Sequence, residues 1–278
     1  MKIKEYTRRP LSFIVMLLIL IAAALTVGIM LFIVAYILVK GVPNITPELF
    51  ELKYNTRNVS MLPSVINTIY ITVLTLLIAV PVGILSAVYL VEYSKKGSKL
   101  VKIIRITTET LSGIPSIVYG LFGFLAFVIA LGWGYSLIAG ALTLAIMVLP
   151  TIIRTTEEAL IAVPDSYREG SFGLGAGKLR TIFIIIIPTA MPGILAGIIL
   201  SIGRIVGETA ALIFTAGTVA EVPSNLLGSA RTLSVHMYCL LSEGLYTNQA
   251  YATAVILLVM VIGINALSSF AAKKIAKA

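Results

Sequence analysis

From Thr110 to Ile153 the chain reads TLSGIPSIVYGLFGFLAFVIALGWGYSLIAGALTLAIMVLPTII, a stretch without one charged side chain. About 20 apolar residues in a helix cross the ~30 Å hydrocarbon layer of a bilayer. The stretch is long enough for two crossings, 111–131 and 136–153, joined by a turn at Gly132-Trp133-Gly134-Tyr135. Outward from it lie further apolar runs at 11–39, 64–91, 182–206 and 250–272. The simplest reading is six spans, all helical, because an α-helix satisfies its own backbone hydrogen bonds where there is no water. The expected fold class is an all-α integral membrane protein, one domain over 1–278, with a short tail at 1–10 and a long loop at 154–181.

Composition excludes the main alternatives. Of 278 residues, 59% are hydrophobic and 12% charged, against about 25% charged in soluble domains. A water-soluble enzyme of this size could not hide that apolar surface, and a disordered chain would be rich in charge instead. One cysteine (Cys239) and one histidine (His236) exclude an internal disulfide and a Cys/His zinc site. A membrane-embedded hydrolase would have to use His236 as its base, and this residue reads as a surface group on a short amphipathic helix near 231–245.

The net charge of +9 follows membrane topology. With the N-terminus inside, the inner pieces hold Lys2, Lys4, Arg8 and Arg9; Lys95, Lys96, Lys99, Lys102 and Arg105; Arg154, Arg168, Lys178 and Arg180; and Lys273, Lys274 and Lys277. The outer pieces hold only Lys40, Lys53, Arg57 and Arg231. That bias places both termini in the cytoplasm and leaves no reason to expect a nucleic-acid partner. A cleavable signal core is about 7–15 residues long, so the longer Leu11–Val39 run reads as an uncleaved first span.

Inside the spans, Gly193/Gly197 and Gly203/Gly207 have the four-residue spacing that lets helices approach closely. Pro81, Pro115, Pro150, Pro188 and Pro192 each remove a backbone donor and can kink a helix. Arg204 and Glu208 stand between apolar flanks, where an arginine costs about 2.5–3.5 kcal/mol on the insertion scale. Four apart on one helix, they are expected to meet on one face, either as a self-neutralising pair or as a cationic site for an anion. One straight helix over 182–220 would be too long, so a break is expected near Gly203–Gly207 or Gly217.

The inner loop carries the most information. It reads Ala162-Val163-Pro164-Asp165-Ser166-Tyr167-Arg168-Glu169-Gly170-Ser171-Phe172-Gly173-Leu174-Gly175-Ala176 and continues to Ile185-Ile186-Ile187-Pro188. Pro164 suits a helix first turn, Ser166 and Glu169 have capping-box spacing, and the helix should stop among Gly170, Gly173 and Gly175. A short helical hairpin facing the cytoplasm is expected. Gly173-Leu174-Gly175-Ala176-Gly177-Lys178 does not make an ATP-binding loop, because position 172 is Phe and position 179 is Leu.

This loop resembles the EAA loop of ABC-importer permeases, with Glu169, Gly175, Ile185 and Pro188 in register. Gly170 and Ser171 stand where that pattern has two alanines, and Ile187 replaces its leucine. Leu111–Gly123 and Gly203–Thr209, continuing to Gly217, are similar to the third- and fifth-span signatures of phosphate permeases of the PstA type. The resemblance runs from about the second span to the end of the chain. It implies a type I ABC-importer permease fold with six transmembrane helices, translocating phosphate or another oxyanion such as sulfate or molybdate. Glu169, Gly170, Ser171, Gly175 and Ala176 would dock on a separate ATPase, and Arg204, Glu208 and Thr209 would line the substrate path.

The implied partners are a second permease of PstC type, two ATPase copies of PstB type and an external PstS-type binding protein, within membrane lipid. No metal and no cofactor is expected on this chain, since ATP and Mg would be used by the partner ATPase. An ion-coupled secondary transporter is the rival reading, and it would show repeated halves with intramembrane acids and no docking loop.

Overall fold

The computed structural model describes residues 10–95 and 97–275. The tail residues 1–9, Lys96 and Lys277 lie outside them. Every regular element among the described residues is helical: α1 Pro10–Gly41, α2 Leu62–Val88, α3 Lys99–Ser112, α4 Ser116–Gly123, α5 Leu137–Ile161, α6 Asp165–Gly173, α7 Lys178–Thr181, α8 Ile187–Gly207, α9 Ala210–Thr215, α10 Leu233–Glu243 and α11 Thr247–Ile275, with short 3-10 turns after α1. Wider π turns end α2 (Tyr89–Tyr93), extend α4 (Phe124–Ala130) and join α7 to α8 (Ile182–Ile186).

Five helices are long and apolar enough to cross a membrane, and α3 with α4 make a sixth if the bent pair counts as one. The 102° bend between them has a local cause. Gly113 closes α3 and Pro115, which lacks a backbone donor, opens α4. The Tyr119 hydroxyl donates to the Leu111 carbonyl at 2.8 Å, satisfying a group that the break would orphan. Leu111 and Ser112 therefore belong to α3, and the helical part of the third crossing begins at Ser116 rather than 111. The other helices run past their apolar runs. In particular α5 continues to Ile161, so Arg154, Glu157 and Glu158 ride on a helix that the sequence reading ends at 153.

Helix α5 is the central post, packed against both α2 and α8. One apolar cluster joins α2, α4, α5, α8, α9 and α10 through residues such as Ile71, Leu144, Met147, Ile152, Ile205 and Leu212. A second, at the cationic end, joins Val88, Leu90, Val101, Leu160, Val163, Ile182 and Ile186. On the first half of α2 the buried face is largely polar, carrying Ser64, Asn67, Thr68, Thr72 and Thr75. Asn67 donates to the carbonyls of Glu221 and Arg231, and Thr68 accepts from the Leu233 backbone, so this face holds the 221–233 segment by hydrogen bonds. Helix α1 packs on α11 at one end, where Gly41 comes close to the Tyr251 backbone.

Candidate coupling hairpin and anion site

Helix α6 begins at Asp165 because Pro164, extended at ψ 139°, serves as its N-cap. Ser166 thus falls inside the first turn, and the capping box expected with Glu169 does not form. The C-terminus follows the glycine rule. Gly175 takes φ +80°, its N–H donates to Phe172 O, and Ala176 N–H donates to Ser171 O. The chain then reverses into α7. Ser171 is buried, and its hydroxyl meets that of Thr181 at 2.8 Å, tying the two arms together.

Of the expected docking residues, Glu169, Gly170 and Gly175 are exposed, Ala176 is partly covered, and Ser171 is turned inward. Tyr167, Phe172, Leu174 and Leu179 add exposed apolar surface to the same hairpin, Leu174 being 91% exposed. Exposed apolar patches rimmed by charge are where a partner protein or a membrane surface can pack.

Arg168 points the other way. Its Nε and Nη2 reach one carboxylate oxygen of Glu92 at 3.0 and 2.8 Å. Nη2 also donates to Leu160 O, and Nη1 donates to Val163 O and to Asp165. The second arm is continuous with a membrane helix, since Lys178 to Gly207 forms one apolar 30-residue rod through the π turn.

Arg204 lies in the last turn of that rod, but Glu208 lies beyond it. Helix α8 ends at Gly207 and Glu208 is extended, at φ −71° and ψ 130°. The expected i, i+4 pairing is therefore corrected: the Glu208 carboxylate, 8% exposed, instead accepts the Ala211 N–H at 3.1 Å in the first turn of α9. The Glu208 carbonyl accepts from Ser234 Oγ. Thr209, half-buried, stands at the break with its hydroxyl 3.4 Å from Gly207 O. The interruption at Gly207–Thr209 and the positive φ of Gly217 supply the breaks expected from length.

Among the described residues Arg204, half-buried, makes no ion pair and no side-chain hydrogen bond. The two glycine pairs divide by role. A Cβ on Gly193 would strike Ala159 and one on Gly197 would strike Thr155, so this pair seals α8 against α5. Gly203 and Gly207 have nothing within 4 Å, so Arg204 stands in an open strip.

At the end of the bundle away from the hairpin the sequence expectation for His236 fails. The residue is fully buried on α10, with Nδ1 3.3 Å from Arg231 Nη1 and its ring edge-on to Tyr54. Burial first, and then the Arg231 charge, push its pKa down to about 4. Arg231 itself is buried, donating to Thr218 O and lying over the Tyr54 ring.

Comparison with known proteins decides the family. The sequence pattern described as "Binding-protein-dependent transport system inner membrane component" matches residues 79–278, which include the hairpin, the α8 rod and Arg204. The chain belongs to that family. This permease is 35% identical over 81% of its length to a probable ABC transporter permease protein, YqgI, of Bacillus subtilis, spanning 81% of that protein. It is 37% identical over 69% of its length to the phosphate transport system permease protein PstA of Mycobacterium leprae, spanning 64% of that protein. PstA of Pasteurella multocida is 41% identical over 65% of the permease and 64% of its own chain. In fold, a bacterial alginate ABC transporter chain superposes over 99% of the permease and 98% of itself, with TM-score 0.70 and 17% identity. The MetNI methionine transporter covers 77% of this chain and 93% of its own, with TM-score 0.59 and 19% identity. The permease is an inner-membrane, all-helical ABC-importer subunit of the type I fold.

Sequence reasoning missed Glu92 as the partner of Arg168. The two lie 76 positions apart and no local spacing connects them. The hint available was an acid, Glu92, at the end of an otherwise uncharged run.

Proposed function

We propose that this chain is the PstA-like half of an ATP-driven importer of inorganic phosphate. The observation that carries the reading is the single rod with the hairpin at one end and Arg204, open and unpaired among the described residues, at the other. Phosphate carries one or two negative charges at neutral pH, and an arginine fork can hold its oxygens in two places. The similarity to the PstA permeases supports phosphate over other oxyanions.

In this reading the hairpin lies on the cytoplasmic side, where the positive charge is concentrated, and Glu169, Gly170, Ser171, Gly175 and Ala176 form or shape the surface that meets a PstB-type ATPase. ATP and Mg are used there, not on this chain, whose glycine-rich turn lacks the spacing of a phosphate loop. A PstC-type permease covers the open Gly203–Gly207 strip, and a PstS-type protein delivers substrate from outside. Closure of the ATPases moves the hairpin, and the rod carries that motion to Arg204 and Thr209. Glu208 holds the break in place by capping α9.

The test is uptake of radiolabelled phosphate by the reconstituted complex, with sulfate and molybdate as competitors. Competition by unlabelled phosphate alone supports the reading. Equal or better competition by either other anion assigns the chain to that oxyanion.

A further inference from the structure

The hairpin is gripped on both arms by two consecutive residues of another helix. Arg168, on the first arm, pairs with Glu92 through two nitrogens at 3.0 and 2.8 Å. Both side chains are largely shielded, at 16% and 9% exposure. Lys178, which opens the second arm, places its ammonium 4.7 Å from the centre of the Tyr93 ring. Glu92 and Tyr93 both belong to the π turn that ends α2. Short π segments inside helices are frequent at functional sites. This one sets two neighbouring side chains against two different arms.

We propose that the Tyr89–Tyr93 turn is the receiving joint of the hairpin, with Glu92 as the positioning residue that makes α2 move together with α6. Arg168 is the rivet. The same guanidinium that meets Glu92 donates to Leu160 O and Val163 O at the end of α5 and to Asp165 at the start of α6. The hairpin is thereby fixed to α2 and α5 at its root, while the α7 arm runs directly into α8. A push on the exposed face cannot tilt α6 alone. It has to move α2 and α8, which both pack on α5 and touch each other. A partly buried, two-nitrogen ion pair is suited to this task because it is directional and only weakly screened by salt. The pair stays closed throughout the transport cycle.

This inference rests on the hairpin being the ATPase contact, so the experiment separates the two claims. The complex of this chain with its ATPase is purified, reconstituted, and assayed for both ATP hydrolysis and phosphate uptake. Glu92→Ala leaves ATPase copurification and hydrolysis near wild type and lowers uptake per ATP hydrolysed by at least about fivefold. Glu92→Gln keeps one acceptor for Arg168 and falls between. Tyr93→Leu, which spares the ion pair, gives a smaller loss of the same kind. An unchanged uptake-to-hydrolysis ratio in Glu92→Ala overturns the proposal. Failure of the wild-type chain to bring down any ATPase overturns the docking reading instead.

Should Glu92→Ala not accumulate, a Cys239→Ser background carrying Glu92→Cys and Arg168→Cys is joined by a short dithiol-reactive linker. Uptake restored on linking supports a joint that stays closed, and uptake abolished on linking overturns it.

Discussion

Arg204 and Glu208 are four residues apart and do not meet. Helix α8 stops at Gly207 between them, and the Glu208 carboxylate accepts the Ala211 N–H at 3.1 Å instead of the guanidinium. The two side chains therefore share no close ion pair, and the two positions separate experimentally. Arg204→Gln is expected to leave the level and melting temperature of the complex near wild type while lowering phosphate uptake about tenfold or more, since a charged bidentate contact is worth ~1.5–3 kcal/mol. Uptake within a factor of two of wild type removes Arg204 from the path.

Glu208 acts as a cap, so its variants should sort by shape more than by charge. Glu208→Gln retains an oxygen for Ala211 N–H and is expected to keep the fold. Glu208→Ala loses the cap, a change of about 1 kcal/mol in a helix of only six residues. The check is thermal denaturation of both variants in detergent, with Glu208→Ala the less stable.

The glycine pairs give a second contrast. Gly197→Ala drives a methyl into Thr155 and should cost about 1–3 kcal/mol of stability. Gly203→Ala meets nothing within 4 Å and should be neutral, or stabilising by up to ~1 kcal/mol as a helical Gly→Ala change. Melting curves of the isolated chain read both. A Gly203→Ala variant that is stable alone yet fails to assemble with a second permease locates the partner surface on the open strip.

His236 makes the end of the bundle that holds α10 acid-sensitive. Its folded pKa lies near 4 and its ordinary value is 6.5, so between those values the unfolded chain binds the extra proton. Stability therefore falls as pH drops from about 6.5 towards 4, by ~3 kcal/mol at most. His236→Gln should flatten that part of the melting-temperature profile. A wild-type profile that is already flat from pH 7 to pH 4 contradicts it.

Much of this was legible from sequence for a simple reason: in a membrane, charge is expensive enough that its positions record the topology. The 110–153 stretch and the lysine and arginine bias gave the helical spans without reference to packing. The hairpin turn was equally readable, because Gly175 holds a conformation at φ +80° that few other residues tolerate. Contacts across the bundle were less accessible. The bend at Gly113–Pro115 was hidden inside an uncharged run, and the burial of His236 depends on Arg231 and Tyr54 arriving from other segments. The i, i+4 rule failed at Arg204 and Glu208 because it presumes an unbroken helix, and the helix ends between them.

The central claim is that a separate ATPase drives this chain through the exposed face of α6. The most direct measurement is copurification of an ATPase with the tagged wild-type chain and with Glu169→Lys, an exposed position where the reversed charge should spare the fold. A stoichiometric ATPase is expected with the wild type and at least about tenfold less with Glu169→Lys, at equal levels of the membrane chain. A variant that retains its full ATPase complement, or a wild-type chain that transports with no ATPase bound, contradicts it.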